Sequence, residues 1–227
     1  YCYASFMCRY VNEPIEDWGK FVYVKKNAVA LFTKEIQKLC KKNPSIFLSS
    51  VTDPYQGVEA KYQLTRGILE VLAQIQYQGL VGILTKSAMV VRDIDLFKKI
   101  PKIEVGLTIT STDDDISRFM EVRASDVSAR LRALKELNQV GIKTYVFVGP
   151  LMPHFAANPE LMDDLFKAIA DAGTTELYVE QMNMKPYIMQ RLAPALKNNA
   201  EYVKNIAQYK IDLNNKVREL VKKYNFT

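Results

Sequence analysis

Residues 1–10 read Tyr1-Cys-Tyr-Ala-Ser-Phe-Met-Cys-Arg-Tyr10. A cysteine stands between two tyrosines, with a second cysteine at position 8. The block has no start methionine at its head and reads as the tail of a longer motif. The Cys-x5-Cys spacing of Cys2 and Cys8 matches no common zinc or redox pattern. Free cysteines are often buried small hydrophobes, so by itself Cys2 is one thiolate and no more.

Downstream of this block, residues 11–27 form an irregular link around Trp18 and Phe21. Apolar positions at Val29, Leu31, Phe32, Ile36 and Leu39 then keep a helical period over 28–42, which Lys-Lys-Asn-Pro ends. Ile46 to Asp53 is a short apolar run stopped by Asp-Pro, the pattern of a buried strand. Residues 58–78 read as the next helix. The alternation continues with strands at 80–85, 103–110, 142–148 and 176–182, and with helices at 91–99, 127–140 and 160–172. From Ala195 the chain reads as helical to its end. Strands alternating with helices, without hairpin signals, imply parallel pairing through right-handed crossovers. Five such strands fit an open doubly wound sheet and a partial barrel equally well. Either way, chemistry is expected where the strands end.

Composition narrows the class without choosing a substrate. The chain has 227 residues, 25% of them charged and 48% hydrophobic, which suits one α/β domain with a sizeable core. No apolar run approaches the roughly 20 residues of a spanning helix, so no membrane partner is expected. Three cysteines without a paired framework suggest a reducing, cytoplasmic setting. Cys40 falls within a helical pattern and reads as filler. The formal charge of +6 permits an anionic partner without demanding one. Its lysine clusters, Lys38–Lys42 and Lys216–Lys223, read as solvated helix faces.

Polar residues gather at four strand ends. The first is Ser49-Ser-Val-Thr-Asp-Pro-Tyr-Gln56, where Asp-Pro also serves as ordinary turn chemistry. The second is Leu84-Thr-Lys-Ser87, and a lysine leaving an apolar strand must reach water or find an anion. On the third, Thr108-Ile-Thr-Ser-Thr-Asp113, the hydroxyls of Thr108 and Thr110 share a face and could bond a ribose, although threonine also favours strands. Met120-Glu-Val-Arg-Ala-Ser-Asp126 follows, with Ser125 or Asp126 as the expected N-cap of the next helix. The fourth, Val148-Gly-Pro-Leu-Met-Pro-His154, holds the one histidine, and Gly149 allows close backbone approach to a flat ligand such as adenine. Glu180, Gln181 and Asn183 are weaker candidates near the last strand.

Tyr-Cys-Tyr-Ala followed by Phe-Met resembles the end of the Cys-x3-Cys-x2-Cys loop of the radical S-adenosylmethionine (radical SAM) enzymes, and within them the spore photoproduct lyase-like subgroup. The resemblance covers about residues 1–185 and includes the Ser-x-Thr-Asp-Pro edge. It implies a partial (β/α)6 TIM-like barrel whose first strand, with the first two cluster cysteines, lies upstream of residue 1. Residues 1–190 would form the core and 191–227 a C-terminal helical extension of the same domain. Cys2 would be the third ligand of a 4Fe–4S cluster, with Tyr1 against the adenine of SAM. Thr52 and Asp53 would take the amino group of SAM, and Lys86 its carboxylate. Glu121 would be a ribose partner, and Arg123 a partner for the SAM carboxylate or for the substrate. In similar sequences this last block carries prolines where Val122 and Ser125 stand here.

The family's chemistry is reductive cleavage of SAM at the cluster, giving a 5′-deoxyadenosyl radical that abstracts hydrogen from a substrate. An external electron donor is implied. Photoproduct lyase itself has a hydrogen-donating cysteine on the first edge, whereas this chain has Ser50 there and no thiol from Ser45 to Pro54. A ribosomally made peptide is therefore expected over damaged DNA, together with a separate protein for substrate recognition. The alternatives are a DNA-lesion repair lyase of the photoproduct type and a degenerate barrel that binds a nucleotide or partner without radical chemistry. No residue is assigned as catalytic.

Overall fold

Five short runs rich in aliphatic and β-branched residues pair side by side, because each packs alternate residues, fully or partly buried, against helices. The computed structural model describes residues 2–227 apart from positions 40, 49, 153, 154, 156, 157, 184 and 197–204, so Cys40 lies outside the described residues. The strands are β1 (Ile46–Leu48), β2 (Val81–Thr85), β3 (Ile103–Thr108), β4 (Lys143–Leu151) and β5 (Leu177–Gln181). All pairings are parallel and the spatial order is β1-β2-β3-β4-β5.

That order settles what periodicity leaves open. Every crossover steps one strand in the same direction, and right-handed crossovers then put the connecting helices on one face. A doubly wound sheet would reverse direction midway and carry helices on both faces. Here one core joins Leu48, Val81, Ile83, Val105, Leu107, Val146 and Val148 of the strands to the buried residues of the helices. The opposite face carries Phe47, Gly82, Glu104, Tyr145, Phe147 and Tyr178 around a cavity of about 350 Å³ that opens toward the strand starts. The sheet is the wall of a partial barrel, with helices outside and this second face within.

The helices are α1 (Ala28–Leu39), α2 (Glu59–Tyr62), α3 (Leu64–Gln74), α4 (Ile94–Phe97), α5 (Asp114–Met120), α6 (Val127–Gln139), α7 (Glu160–Asp171), α8 (Pro186–Leu196) and α9 (Ile206–Lys223). Three short 3-10 segments cover Tyr3–Tyr10, Ile15–Asp17 and Ala88–Asp93.

Several elements differ from the expected ones. The helix expected over 58–78 is broken at Gln63, which takes φ 49°. Glu59 makes that break possible, since its carboxylate accepts the Leu64 and Arg66 N–H groups at 2.9 and 3.2 Å and so caps α3 from a turn upstream. Helix α5 was not expected. It starts where Asp113 accepts the N–H groups of Asp115 and Ile116. Asp126 stands at the N-cap of α6, as expected, but its side chain makes no capping bond, and Asp114 of α5 accepts the Ser128 N–H instead at 2.9 Å. Strand β4 continues past Gly149 and Pro150 to Leu151 through a register shift, as a bulge accommodates a proline.

The C-terminal stretch packs on the same core through Leu213, Leu220 and Phe226, whose ring meets Phe166 edge to face at 5.8 Å. Lys223 pairs with Asp163 of α7 at 2.8 Å. Thr227 donates its N–H to Thr175 and accepts from Leu177, at 2.8 and 3.0 Å.

Gly106 and Tyr145 are cross-strand neighbours on the inner face. A Cβ on Gly106 would come within 2.2 Å of the Tyr145 ring. The tyrosine cannot swing away freely, since its hydroxyl donates to the Ile83 carbonyl at 2.8 Å. Gly106→Ala is expected to cost about 1–3 kcal/mol by overpacking. Combining it with Tyr145→Leu recovers part of that loss in a double-mutant cycle measured by urea denaturation. Additive effects would contradict the contact.

Candidate functional site

Because all strands run the same way, their C-terminal ends share one rim. The chain leaves β1 there and is pinned at three consecutive residues. Asp53 accepts the Tyr55 N–H and the Thr85 hydroxyl on Oδ1, at 2.8 and 2.6 Å, and the Lys86 N–H on Oδ2 at 2.6 Å. The Pro54 carbonyl accepts from the Thr65 hydroxyl at 2.6 Å. Tyr55 is buried and its hydroxyl donates to Asp93 at 3.0 Å. The Asp53 carboxylate thus joins the end of β1 to the end of β2, with lone-pair capacity still left on Oδ2. Thr52 beside it is exposed.

Lys86 follows β2 directly and lies on the inner-face side of the rim. Its ammonium is held down to about 8, first by desolvation and then by repulsion from Arg130. Asp53, Cys2 and Glu180 attract it and oppose that shift. The side chain as a whole remains 30% exposed. Glu121 Oε1 stands 3.9 Å from Nζ, the outer limit of an ion pair. The backbone around Lys86 is tied to the α5–α6 loop as well. Ser125 donates its N–H to the Lys86 carbonyl at 3.3 Å, and its hydroxyl accepts the Ala88 N–H at 3.0 Å.

Arg130 closes the third side of the site. It is fully buried on α6 and uses its guanidinium in several directions. Nε donates to the Ser125 carbonyl and Nη1 to the Thr108 carbonyl, at 2.8 and 2.9 Å. Nη2 donates to the Ser117 hydroxyl at 3.0 Å and to Glu121 Oε2 at 2.5 Å. Burial pushes the Glu121 carboxyl up, and Arg130 pulls it back. One carboxylate oxygen of Glu121 is therefore committed to Arg130 while the other faces Lys86. Sequence reasoning missed Arg130 as a site element. The signal was present, because Val127, Arg130, Leu134 and Leu137 lie on one buried stripe of α6, where an arginine needs a partner.

The remaining candidates fall as follows. Cys2 is a half-buried free thiol that leads into the first 3-10 segment. Thr108 and Thr110 are buried at the end of β3, and Arg123 is exposed. Gly149 is buried, and a Cβ there would meet the Phe147 ring at 2.2 Å, so the absent side chain makes room for that ring. The Gln181 amide donates to Asn214 at 2.8 Å, and Asn183 accepts the Lys185 N–H at 3.1 Å. Tyr1 and His154 lie outside the described residues. The structure thus joins Asp53, Lys86, Glu121 and Arg130 by direct contacts, and Cys2 and Glu180 lie near enough to act on the Lys86 charge.

The sequence resemblance implies two groups, SAM and a 4Fe–4S cluster. An ammonium, a carboxylate with capacity left and threonine hydroxyls around a desolvated corner suit the amino-acid and ribose parts of SAM. A 4Fe–4S cluster that leaves one iron open needs three thiolates. Cys2 supplies one thiol, and among the described residues no group of three or more metal-binding side chains stands together.

A family model for the radical SAM superfamily matches residues 1–165. An uncharacterised protein of Methanocaldococcus jannaschii is 40% identical over 153 residues, which make up 67% of this chain and 55% of that protein. The chain thus spans little more than half the length of this relative. Among solved structures, spore photoproduct lyase complexed with dinucleoside spore photoproduct superposes with a TM-score of 0.66 at 17% identity, covering 99% of this chain and 69% of that one. Streptococcus suis SuiB bound to S-adenosylmethionine gives a TM-score of 0.50 at 14% identity, covering 80% and 41%. At these identities the two structures share the fold.

The depressed Lys86 ammonium makes a pH prediction. Its folded value of about 8 lies below the ordinary 10.5, so between these pH values the unfolded chain binds the extra proton. Stability from this group therefore rises with pH across that window. Lys86→Met removes the penalty of a charged, desolvated ammonium. Its stability advantage over the parent is expected to be greatest below pH 8 and to shrink toward pH 10.5, as read by urea denaturation at several pH values. A pH-independent difference would contradict the desolvated placement.

Proposed function

The chain belongs to the radical SAM superfamily, and on that premise we propose that it serves the reductive cleavage of SAM at a 4Fe–4S cluster, yielding a 5′-deoxyadenosyl radical that takes hydrogen from a ribosomally made peptide. The observation that carries this reading is the convergence of Cys2, Asp53 and Lys86 at one end of a consecutively ordered parallel sheet. The cluster would supply the electron, and an external donor would reduce it. Everything else is placement by this chain.

Cys2 would give one thiolate, with the other ligands from outside the described residues. Thr52 and Asp53 would receive the amino group of SAM. Lys86 would pair with its carboxylate, and an anion delivered there offsets the desolvation that depresses the ammonium. Thr108 and Thr110, beside Glu121, would face the ribose. Arg130 acts on the site only by fixing Glu121 and the Thr108 carbonyl. Tyr1 and Gly149 would border the adenine, and Arg123 would serve the SAM carboxylate or the substrate. A water-poor corner of this kind protects a reactive species from side reactions.

Three features favour a peptide. No thiol stands between Ser45 and Pro54, where photoproduct lyase has its hydrogen-donating cysteine. Beside the site, the α5–α6 segment exposes Phe119 and Val122, at 63% and 76%. Apart from the buried, Arg130-paired Glu121, residues 113–126 hold four carboxylates against two arginines, a balance that disfavours a phosphate backbone. A separate recognition protein would bind the rest of the peptide.

The test uses full-length protein reconstituted anaerobically with iron and sulfide. Under reduction it is expected to form 5′-deoxyadenosine from SAM, and Cys2→Ala is expected to abolish this. With a deuterated cellular peptide fraction, deuterium should enter 5′-deoxyadenosine. Transfer from deuterated, ultraviolet-irradiated DNA instead would overturn the peptide assignment. A protein that holds no iron and leaves SAM intact would overturn the radical reading and favour a non-catalytic binding barrel.

A further inference from the structure

Asp93 lies in the 3-10 segment Ala88–Asp93 and its side chain is fully shielded from water. Two arginines hold it. Arg66 Nη1 donates to Oδ1 at 2.7 Å, while Arg92 donates through Nε and Nη2 at 2.9 and 2.8 Å. Those arginines are fixed in turn, Arg66 by Asp95 at 3.0 Å and Arg92 by Glu59 at 3.0 Å. A carboxylate so surrounded has little freedom to move. Within the frame it makes one further bond, from the hydroxyl of Tyr55. Tyr55 is the third pinned residue of the loop after β1, and its own N–H donates to Asp53. Arg92 also lies over the Tyr55 ring at 5.7 Å.

An unbroken path therefore runs from a buried ionic frame on the outer, helix side of the sheet to the rim. Its steps are Arg66 and Arg92, Asp93, Tyr55, Asp53 and the Lys86 N–H. The geometry points to Asp93 and Tyr55 as positioning residues that fix the Asp53 carboxylate against the Lys86 backbone and so preset this corner for the amino-acid part of a ligand. They touch no ligand, and they act through Asp53. This inference rests on the proposed SAM site and adds to it a division of labour. The amino-acid half of SAM is gripped by a preset corner, and the adenosine half by other strand ends.

Tyr55→Phe tests this most cleanly, since it deletes one hydroxyl and keeps the ring that fills the core. Asp93→Asn is the second variant. In the reconstituted full-length protein, Tyr55→Phe is expected to raise the KM for SAM about three- to tenfold, with kcat and iron content unchanged, as a loosened clasp of one hydrogen bond should do. Inhibition by methionine should weaken by the same factor, whereas inhibition by 5′-deoxyadenosine should not change. A purely structural role would not separate the two inhibitors. Amide hydrogen exchange at Lys86, read without SAM or cluster, should be faster in the variant, because its N–H is the last bond of the path. Equal weakening of both inhibitors, or a variant indistinguishable from the parent in KM and exchange, would overturn the positioning role. Parent protein that neither binds nor cleaves SAM would overturn the functional reading instead, and the exchange measurement would still report on the clasp.

Discussion

Arg130 has no contact with water, and its guanidinium is satisfied only because three separate stretches of chain turn toward it. The Thr108 carbonyl comes from the end of β3, Ser117 and Glu121 from α5 and the turn after it, and the Ser125 carbonyl from the approach to α6. A buried cation without such partners would be prohibitively costly, so the loop after β3 has little choice of path. That loop then sets where Glu121 points and, through Ser125, where the backbone around Lys86 sits. The charge balance of the corner follows. Arg130 pairs with Glu121 and repels Lys86, so desolvation and a neighbouring cation both act on this lysine at the rim of a parallel sheet.

The two faces of the sheet divide the work. Against the helices, aliphatic residues of every strand make one core that also takes in Leu213, Leu220 and Phe226 of the C-terminal stretch. On the inner face, Gly106 and Gly149 lack a Cβ where the rings of Tyr145 and Phe147 lie, so aromatic bulk fills the wall without pushing strands apart. Below, Lys143 bridges Glu104 and Glu176 and balances charge at the strand starts. Above, the polar edges face a common mouth. Consecutive strand order is what brings them there, because parallel strands stepping one way deliver each exit loop to the neighbour of the last.

Much of this was legible in the chain itself. The alternation of Ile46–Leu48, Val81–Thr85 and Ile103–Thr108 with helical stretches announced a parallel sheet, and Asp53 and Lys86 were visible as polar residues ending apolar runs. Barrel against open sheet was not legible from periodicity, since five strand patterns say nothing about which neighbours which. The break at Gln63 was hidden because its cause, the Glu59 carboxylate capping α3, looks in sequence like one more surface acid. Helix α5 was hidden by Asp113–Asp115, which reads as a turn until Asp113 is seen to cap it. Asp93 and Tyr55 gave no signal at all, because their 38-residue separation is closed only in the fold.

The most direct test of the account is electron paramagnetic resonance of the reduced, reconstituted full-length protein before and after addition of SAM. An S = 1/2 signal from a reduced 4Fe–4S cluster is expected, absent in Cys2→Ala, whose line shape changes on adding SAM in the parent and changes less when Lys86 is replaced by Met. An iron–sulfur signal that is absent from the parent, or one that survives Cys2→Ala and ignores SAM, would contradict it.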